Sequence, residues 1–154
     1  DEHRTMEYKK AGIHDVGGKG RFYGYASVFN VEDSYGDIIL NGAFSKTLEN
    51  LGKIRLLWQH HSDYVIGEIE VLREDVVGLY IVGKIHLDSE LGSRLYCYVM
   101  NNIINGLSIG YRVDSCTFDA NDRRIIRAIS LFEISIVTLP ANKFCEIISC
   151  KYCG

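Results

Sequence analysis

Gly106-Leu-Ser108-Ile-Gly110 places a serine between two glycines, a setting in which a hydroxyl can serve as nucleophile in acyl transfer. A serine attacks poorly until a neighbouring base takes its proton, and the base works best when a third group fixes its tautomer. The five histidines stand at positions 3, 14, 60, 61 and 86, so any base must come from upstream. His60 ends the run Leu56-Leu-Trp-Gln-His60 and is the candidate base. Glu133 is the candidate orienting acid, because it sits inside an apolar stretch where a carboxylate is rare without a partner. Spacing alone also allows plainer readings. Serines beside glycines are more often small strand residues than nucleophiles, and strand-end histidines are more often simply hydrogen-bonded.

The pattern Gly106-x-Ser108-x-Gly110 also matches the nucleophile elbow of α/β-hydrolases. That elbow requires a strand before the serine, a helix after it and a histidine downstream. Here a helix ends near Gly106, a strand follows, and no histidine lies downstream, so the elbow reading fails. Cys145, Cys150 and Cys153 raise the prospect of zinc, but a structural site normally needs four ligands in recognisable pairs, and there is no second pair. His60 and His61 are poor partners, since strand neighbours point to opposite faces. A cysteine nucleophile lacks the Gly-flanked setting of Ser108, and Cys97 falls within a helix. No metal and no cofactor are expected.

Several elements must position these groups. Arg21 to Phe29 reads as an aromatic-rich strand and Asp33 to Gly36 as a turn. Asn41 to Gly52 is expected to form a short helix, capped by Asn41 and stopped by Gly52. Ile54 to His60, Tyr64 to Leu72 and Leu79 to Leu87 read as strands, the last with clear period-two alternation. Asp88 or Ser89 caps the clearest helix, which carries Leu91, Leu95, Tyr98 and Val99 at helical spacing and ends at Asn105-Gly106. Leu107 to Phe118 and Arg123 to Thr138 are long strands joined by a turn over Asp119 to Asp122. Phe144 to Ser149 is a further β-type segment. Alternation puts Leu107 and Ile109 on one face with Ser108 and Gly110 on the other. In the partner strand Phe132, Ile134 and Ile136 oppose Glu133 and Ser135, so Ser108 and Glu133 share an outward-facing sheet surface. His60 keeps parity with Leu56 and Trp58, and must reach that surface from a strand end where the chain turns at His61-Ser62-Asp63.

The fold class is therefore mostly β, with one clear and one short helix. A closed or nearly closed barrel is the natural way to protect so many strand edges. Residues 1–20 read as a flexible arm and 21–154 as a single domain. The 154 residues, with 47% apolar and 24% charged, suit one globular domain. A net charge of −3 without a basic stripe argues against broad nucleic-acid binding, and no apolar run is long enough for a membrane span. Five cysteines, an odd number, point to reduced thiols in a cytosolic compartment.

An ordered series of segments resembles the HK97-type prohead proteases, which process phage capsid scaffolds. It comprises Gly24-Tyr-Ala-Ser-Val-Phe29, Gly36-Asp-Ile-Ile-Leu-Asn-Gly42-Ala-Phe44, Leu56-Leu-Trp-Gln-His60, Ile66-Gly67 and Gly78-Leu79. Gly106-Leu-Ser-Ile-Gly-Tyr111 and Leu131-Phe-Glu-Ile-Ser-Ile-Val-Thr-Leu-Pro-Ala-Asn142 complete it. The family is similar in fold to the herpesvirus assemblins, whose barrel carries a serine and two histidines. The resemblance implies that His60 and Ser108 are the catalytic pair and that Glu133 stands where assemblins use a second histidine. It further implies a serine endopeptidase acting on capsid and scaffold proteins, with self-cleavage, in the host cytoplasm and within the immature capsid. Self-association as a homodimer follows from the assemblin likeness. Arg112, or backbone amides near Ala141-Asn142, are oxyanion candidates by position. The alternative is a catalytically silent β-barrel assembly or scaffold module that kept the fold.

Overall fold

A computed structural model describes residues 12–15, 17–33, 36–138 and 150–153. Among the described residues nine strands form one sheet: β1 (Gly12–Asp15), β2 (Arg21–Val28), β3 (Asp37–Ile39), β4 (Arg55–Trp58), β5 (His61–Glu74), β6 (Gly78–Ile85), β7 (Gly106–Phe118), β8 (Arg124–Val137) and β9 (Cys150–Cys153). The order is β1-β2-β6-β5-β4-β8-β7-β9, with β3 paired to β8. Helix α1 (Glu90–Met100) is the one α-helix among the described residues.

The sheet is curled and open rather than closed. Its path ends at β1 and β9, which do not pair, although the Ile13 amide of β1 donates to Asn105 O, just before β7, at 3.1 Å. The expectation of a closed or nearly closed barrel is corrected to this extent. Part of the expected arm also belongs to the sheet, since β1 pairs antiparallel with β2.

The core lies on one face of the sheet. β6 buries Leu79, Ile81 and Ile85, and β2 buries Phe22 and Ala26, as their alternation requires. Phe22 lies opposite Gly83, and a side chain on Gly83 would strike the Phe22 ring, so the glycine makes room for the aromatic. Helix α1 closes the core with Leu95, Tyr96 and Val99. Each of the Leu, Ile, Val and Phe side chains among these, fully buried, stabilises the fold by about 1.5–3 kcal/mol.

Ser89 caps α1 by accepting the Gly92 amide at 3.0 Å. Tyr96 turns inward and donates to Gly17 O, whereas Tyr98, expected on the inner stripe, is 37% exposed. The helix also stops before Asn105-Gly106. Asn102 takes the left-handed conformation (φ +56), and the Ile103 amide returns to Tyr98 O at 2.8 Å.

Residues 41–53 form turns and two short 3₁₀ segments, Thr47–Glu49 and Leu51–Lys53, instead of the expected short helix. Gly42 has φ +97, outside the helical region, and Ala43 O, which a helix would offer to the Thr47 amide, instead accepts the Ile129 amide at 2.9 Å, while Glu74 of β5 accepts the amides of Gly42 and Phe44. This segment fills a gap along β8. One edge of β8 pairs in parallel with β3 at Arg124–Ile126 and with β4 at Glu133–Ile136. Between them the Ile129 amide donates to Ala43 O, and the Leu131 amide donates to Thr47 Oγ1. Asp37 of β3 binds Arg124 through two bonds of 2.9 and 2.8 Å. The other edge of β8 runs antiparallel to β7 for the whole length of both strands. β8 is thus fixed on both sides, which suits it to position a site. The segment Phe144–Ser149 lies outside the described residues.

Candidate active site

β7 and β8 bring small and polar residues face to face. Ser108 lies opposite Ser135, and Gly110 lies opposite Glu133. Leu107, Ile109, Ile134 and Ile136 turn to the core, each 0% exposed, leaving Ser108, Glu133 and Ser135 on the other face. That face is not an open surface: these three residues are 1%, 8% and 0% exposed. Phe132 departs from the expected parity. Tyr111 pairs with Leu131 while Gly110 pairs with Glu133, so Phe132 is the extra residue of a β-bulge and is 52% exposed. Without that bulge, Leu131 and Ile134 could not both face the core.

His60 arrives from a turn. Trp58 pairs with His61, leaving Gln59 and His60 as a two-residue hairpin loop with φ +53 and +60. Two positive φ values are the type I′ pattern, easy for Asn-Gly and costing other residues about 1–3 kcal/mol each. The turn therefore comes two residues before the expected His61-Ser62-Asp63 and frees His60 from strand parity. β8 holds it. The Gln59 amide donates to Ile136 O at 3.0 Å, and the Gln59 side chain exchanges two bonds with Thr138, 2.7 and 3.0 Å. The His60 amide donates to Ser135 Oγ at 3.0 Å.

The imidazole bridges the two strands. Nε2 stands 2.7 Å from Ser108 Oγ, and Nδ1 stands 2.5 Å from Glu133 Oε1. An ionised carboxylate only accepts, so this contact places the proton on Nδ1 and leaves Nε2 to accept from the serine. Ser135 Oγ donates to Glu133 Oε2 at 2.7 Å. Gly110 also has a steric task, since a side chain there would meet the Glu133 carboxylate. Chemically, the arrangement can take a proton from Ser108 and hold the resulting imidazolium against a carboxylate.

His60, Ser108 and Glu133 are thus brought together from three strand ends or interiors far apart in sequence. Arg112 lies on the same strand as Ser108, but its guanidinium bonds Asp114 (3.0 Å) and Ser130 (3.4 Å) and rests over the Phe132 ring. Asn142 lies outside the described residues. Ser135, Gln59 and Thr138 are contributors that sequence reasoning missed. The i, i+2 spacing of Glu133 and Ser135 could have pointed to the first; nothing local pointed to the others. Among the described residues no group of three or more His, Cys, Asp or Glu could hold a metal ion, and the side chains of Cys145, Cys150 and Cys153 are outside that set. No helix among them is long and apolar enough to cross a membrane.

A family model described as caudovirus prohead serine protease matches residues 6–152. The chain is 36% identical over 154 residues to the prohead protease of Enterobacteria phage HK97, covering 96% of this chain and 68% of that protein. It is 30% identical over 124 residues to the prohead protease of Escherichia phage T5, covering 78% of this chain and 58% of that protein. In fold it is similar to the bacteriophage T4 capsid assembly protease, with a TM-score of 0.60 at 12% identity, covering 78% of this chain and 82% of that one. A KSHV protease solved with a hexapeptide phosphonate inhibitor gives a TM-score of 0.52 at 13% identity, covering 76% and 58% of the two chains.

Proposed function

The chain belongs to the caudovirus prohead serine protease family, and we propose that it works as a serine endopeptidase through Ser108, His60 and Glu133 on capsid and scaffold proteins of the prohead. The observation that carries the reading is the imidazole of His60, with one nitrogen on Ser108 and the other on Glu133. His60 Nε2 removes the Ser108 proton as Oγ attacks the scissile carbonyl. The tetrahedral intermediate collapses as the imidazolium returns that proton to the departing amine. A water, deprotonated by His60, then releases the acyl group and restores the serine. Glu133 keeps the proton on Nδ1 and offsets the positive charge that develops on the ring.

Of the two oxyanion candidates, Arg112 would have to release Asp114 and Ser130 to serve, which leaves backbone amides as the better proposal. The setting proposed is the interior of the immature capsid in the infected host, with self-cleavage and a homodimeric state as further parts of the reading.

The test is intact-mass analysis of the wild type and of Ser108→Ala, each co-expressed with the cognate capsid or scaffold protein. Discrete fragments with the wild type alone are expected, a loss of about 10⁴-fold or more in the variant. Equal cleavage by a folded Ser108→Ala protein would remove Ser108 from the mechanism. Uncut partners with both proteins would favour a silent assembly module.

A further inference from the structure

We propose that Ser135 is a positioning residue for this reaction, holding the base and the acid at once; the inference rests on the reading of Ser108, His60 and Glu133 just given. A hydroxyl offers one donor and two acceptor sites. Ser135 donates its proton to Glu133 Oε2 and accepts the backbone amide of His60. One atom therefore ties the carboxylate to the turn that carries the imidazole. The two carboxylate oxygens of Glu133 divide the work, Oε1 toward His60 Nδ1 and Oε2 toward Ser135.

Burial gives these bonds their weight. Ser135 is 0% exposed, so both contacts lie away from water, where a hydrogen bond to a charged group is strong and its loss is costly. Its place in the sheet suits the role: Ser135 lies opposite Ser108 on β7 and opposite Leu57 on β4, between the strand that carries the serine and the strand that leads to His60. The turn needs such an anchor because Gln59 and His60 both hold positive φ, a conformation that persists only where surrounding contacts over-determine it. Ser135 does not touch the scissile bond in this account. It sets where His60 sits and how strongly Glu133 attracts the imidazole proton.

A merely structural serine and a positioning serine differ in their pH signature. A carboxylate that loses a donor becomes more basic and favours the protonated imidazole more. The neutral, reactive form of His60 then appears only at higher pH. The experiment measures the rate at which a fluorophosphonate probe labels Ser108 across the range in which histidine titrates, for wild type, Ser135→Ala, Ser135→Cys and Ser135→Thr. Folding is checked by circular dichroism.

Labelling by Ser135→Ala is expected to fall by about tenfold to a hundredfold, as for loss of a hydrogen bond to a charged group. Its acid limb should move to higher pH. On a peptide spanning a mapped cleavage site, kcat should fall while KM stays within about twofold, since the lost interaction serves the transition state. Threonine keeps the hydroxyl and should restore both rate and acid limb. Cysteine keeps the volume but donates weakly, and should stay slow even if alanine does not fold. A folded Ser135→Ala or Ser135→Cys protein with the wild-type rate, or a slower one with an unmoved acid limb, overturns the proposal alone. A wild type that the probe does not label at Ser108 overturns the parent reading and this one with it.

Discussion

The two ends of the β7–β8 ladder are built from the same pair of strands and treat polar residues in opposite ways. At the site end, Ser108, Glu133 and Ser135 are buried, and each has a named partner within a continuous network through His60. At the far end, Arg112, Asp114, Ser115, Thr117 and Arg127 are exposed, and the register shifts at Val113/Ser115 and at Ser115/Cys116. Contacts there, such as Arg127 to Thr117 at 3.3 Å, lie in water and contribute little each. Burial is what makes the same chemistry consequential: an unpaired polar group in the interior costs far more than one at the surface. The bulge at Phe132 sits at the junction, so the change of regime and the change of register coincide.

The strongest way to break the contrast is to disturb the buried end without unfolding it. Gly110→Ala does this, because the new methyl would meet Glu133 Oε1 and the carbons behind it, the mobile end of a side chain rather than backbone. The carboxylate must move aside and leave His60, giving up a buried hydrogen bond as it does so. A loss of about a hundredfold in kcat/KM is expected from such a misplacement, with Tm lowered by roughly 3–10 °C and the protein still folded at the assay temperature. Steady-state kinetics beside thermal melts check it. Unchanged activity would mean that the position of Glu133 does not matter to the rate.

The far end has one exception, which sharpens the comparison. Arg124 opens β8 there, yet its partner Asp37 has a side chain only 3% exposed, and the pair joins β3 to β8. Asp37→Ala removes the buried partner of a half-buried guanidinium, and loss of such a charged hydrogen-bonded pair destabilises by about 1.5–3 kcal/mol, or roughly 3–10 °C in Tm for a chain of this size. Labelling of Ser108 per folded molecule should stay at the wild-type level. A drop in labelling would show that the two ends are mechanically coupled, and the contrast would fail.

How much of this could be read from the chain follows from the range of each interaction. Alternation in Leu79–Ile85 and the cap at Ser89 are local effects, and the structure has both. The candidate residues His60, Ser108 and Glu133 were named from chemistry and resemblance, and they meet in space. What brings them together is not local. The positive-φ turn at Gln59-His60 contains no glycine or asparagine to mark it and depends on Ser135, Ile136 and Thr138, more than 70 positions away. The bulge at Phe132 is equally silent, since an unbroken apolar run invites simple parity. Residues 41–53 lost their helix to the positive φ of Gly42 and to β8, whose Ile129 amide, more than 80 positions from Ala43, takes the carbonyl that a helical turn would use. Curling of the sheet is again collective: edge protection argued for closure, but the described strands stop short of it.

The smallest expected effect belongs to the hairpin tip of the exposed end. The Asp119 carboxyl lies below the usual carboxylate range, chiefly because it accepts the Arg123 amide; partial desolvation opposes this, and the Arg123 guanidinium and the Asn121 amide add to it. Asp114 is lowered as well, first by the Ser130 hydroxyl and then, against some desolvation, by Arg112. A carboxyl whose folded pKa is depressed stabilises the protein fully above its unfolded pKa, about 3.9, and loses that contribution as pH falls through the lower folded value. Asp119→Asn should therefore lower Tm near neutrality by about 2 °C or less, as for an exposed pair. The gap from wild type should close in strongly acidic buffer, where Asp119 is itself protonated. Melts at several pH values measure it, with Ser108 labelling unchanged throughout. A gap that persisted in acid would assign the effect to the shape of the turn rather than to charge. A loss of labelling would contradict the separation of the two ends, because Asp119 lies in the turn at the opposite end of the ladder from Ser108.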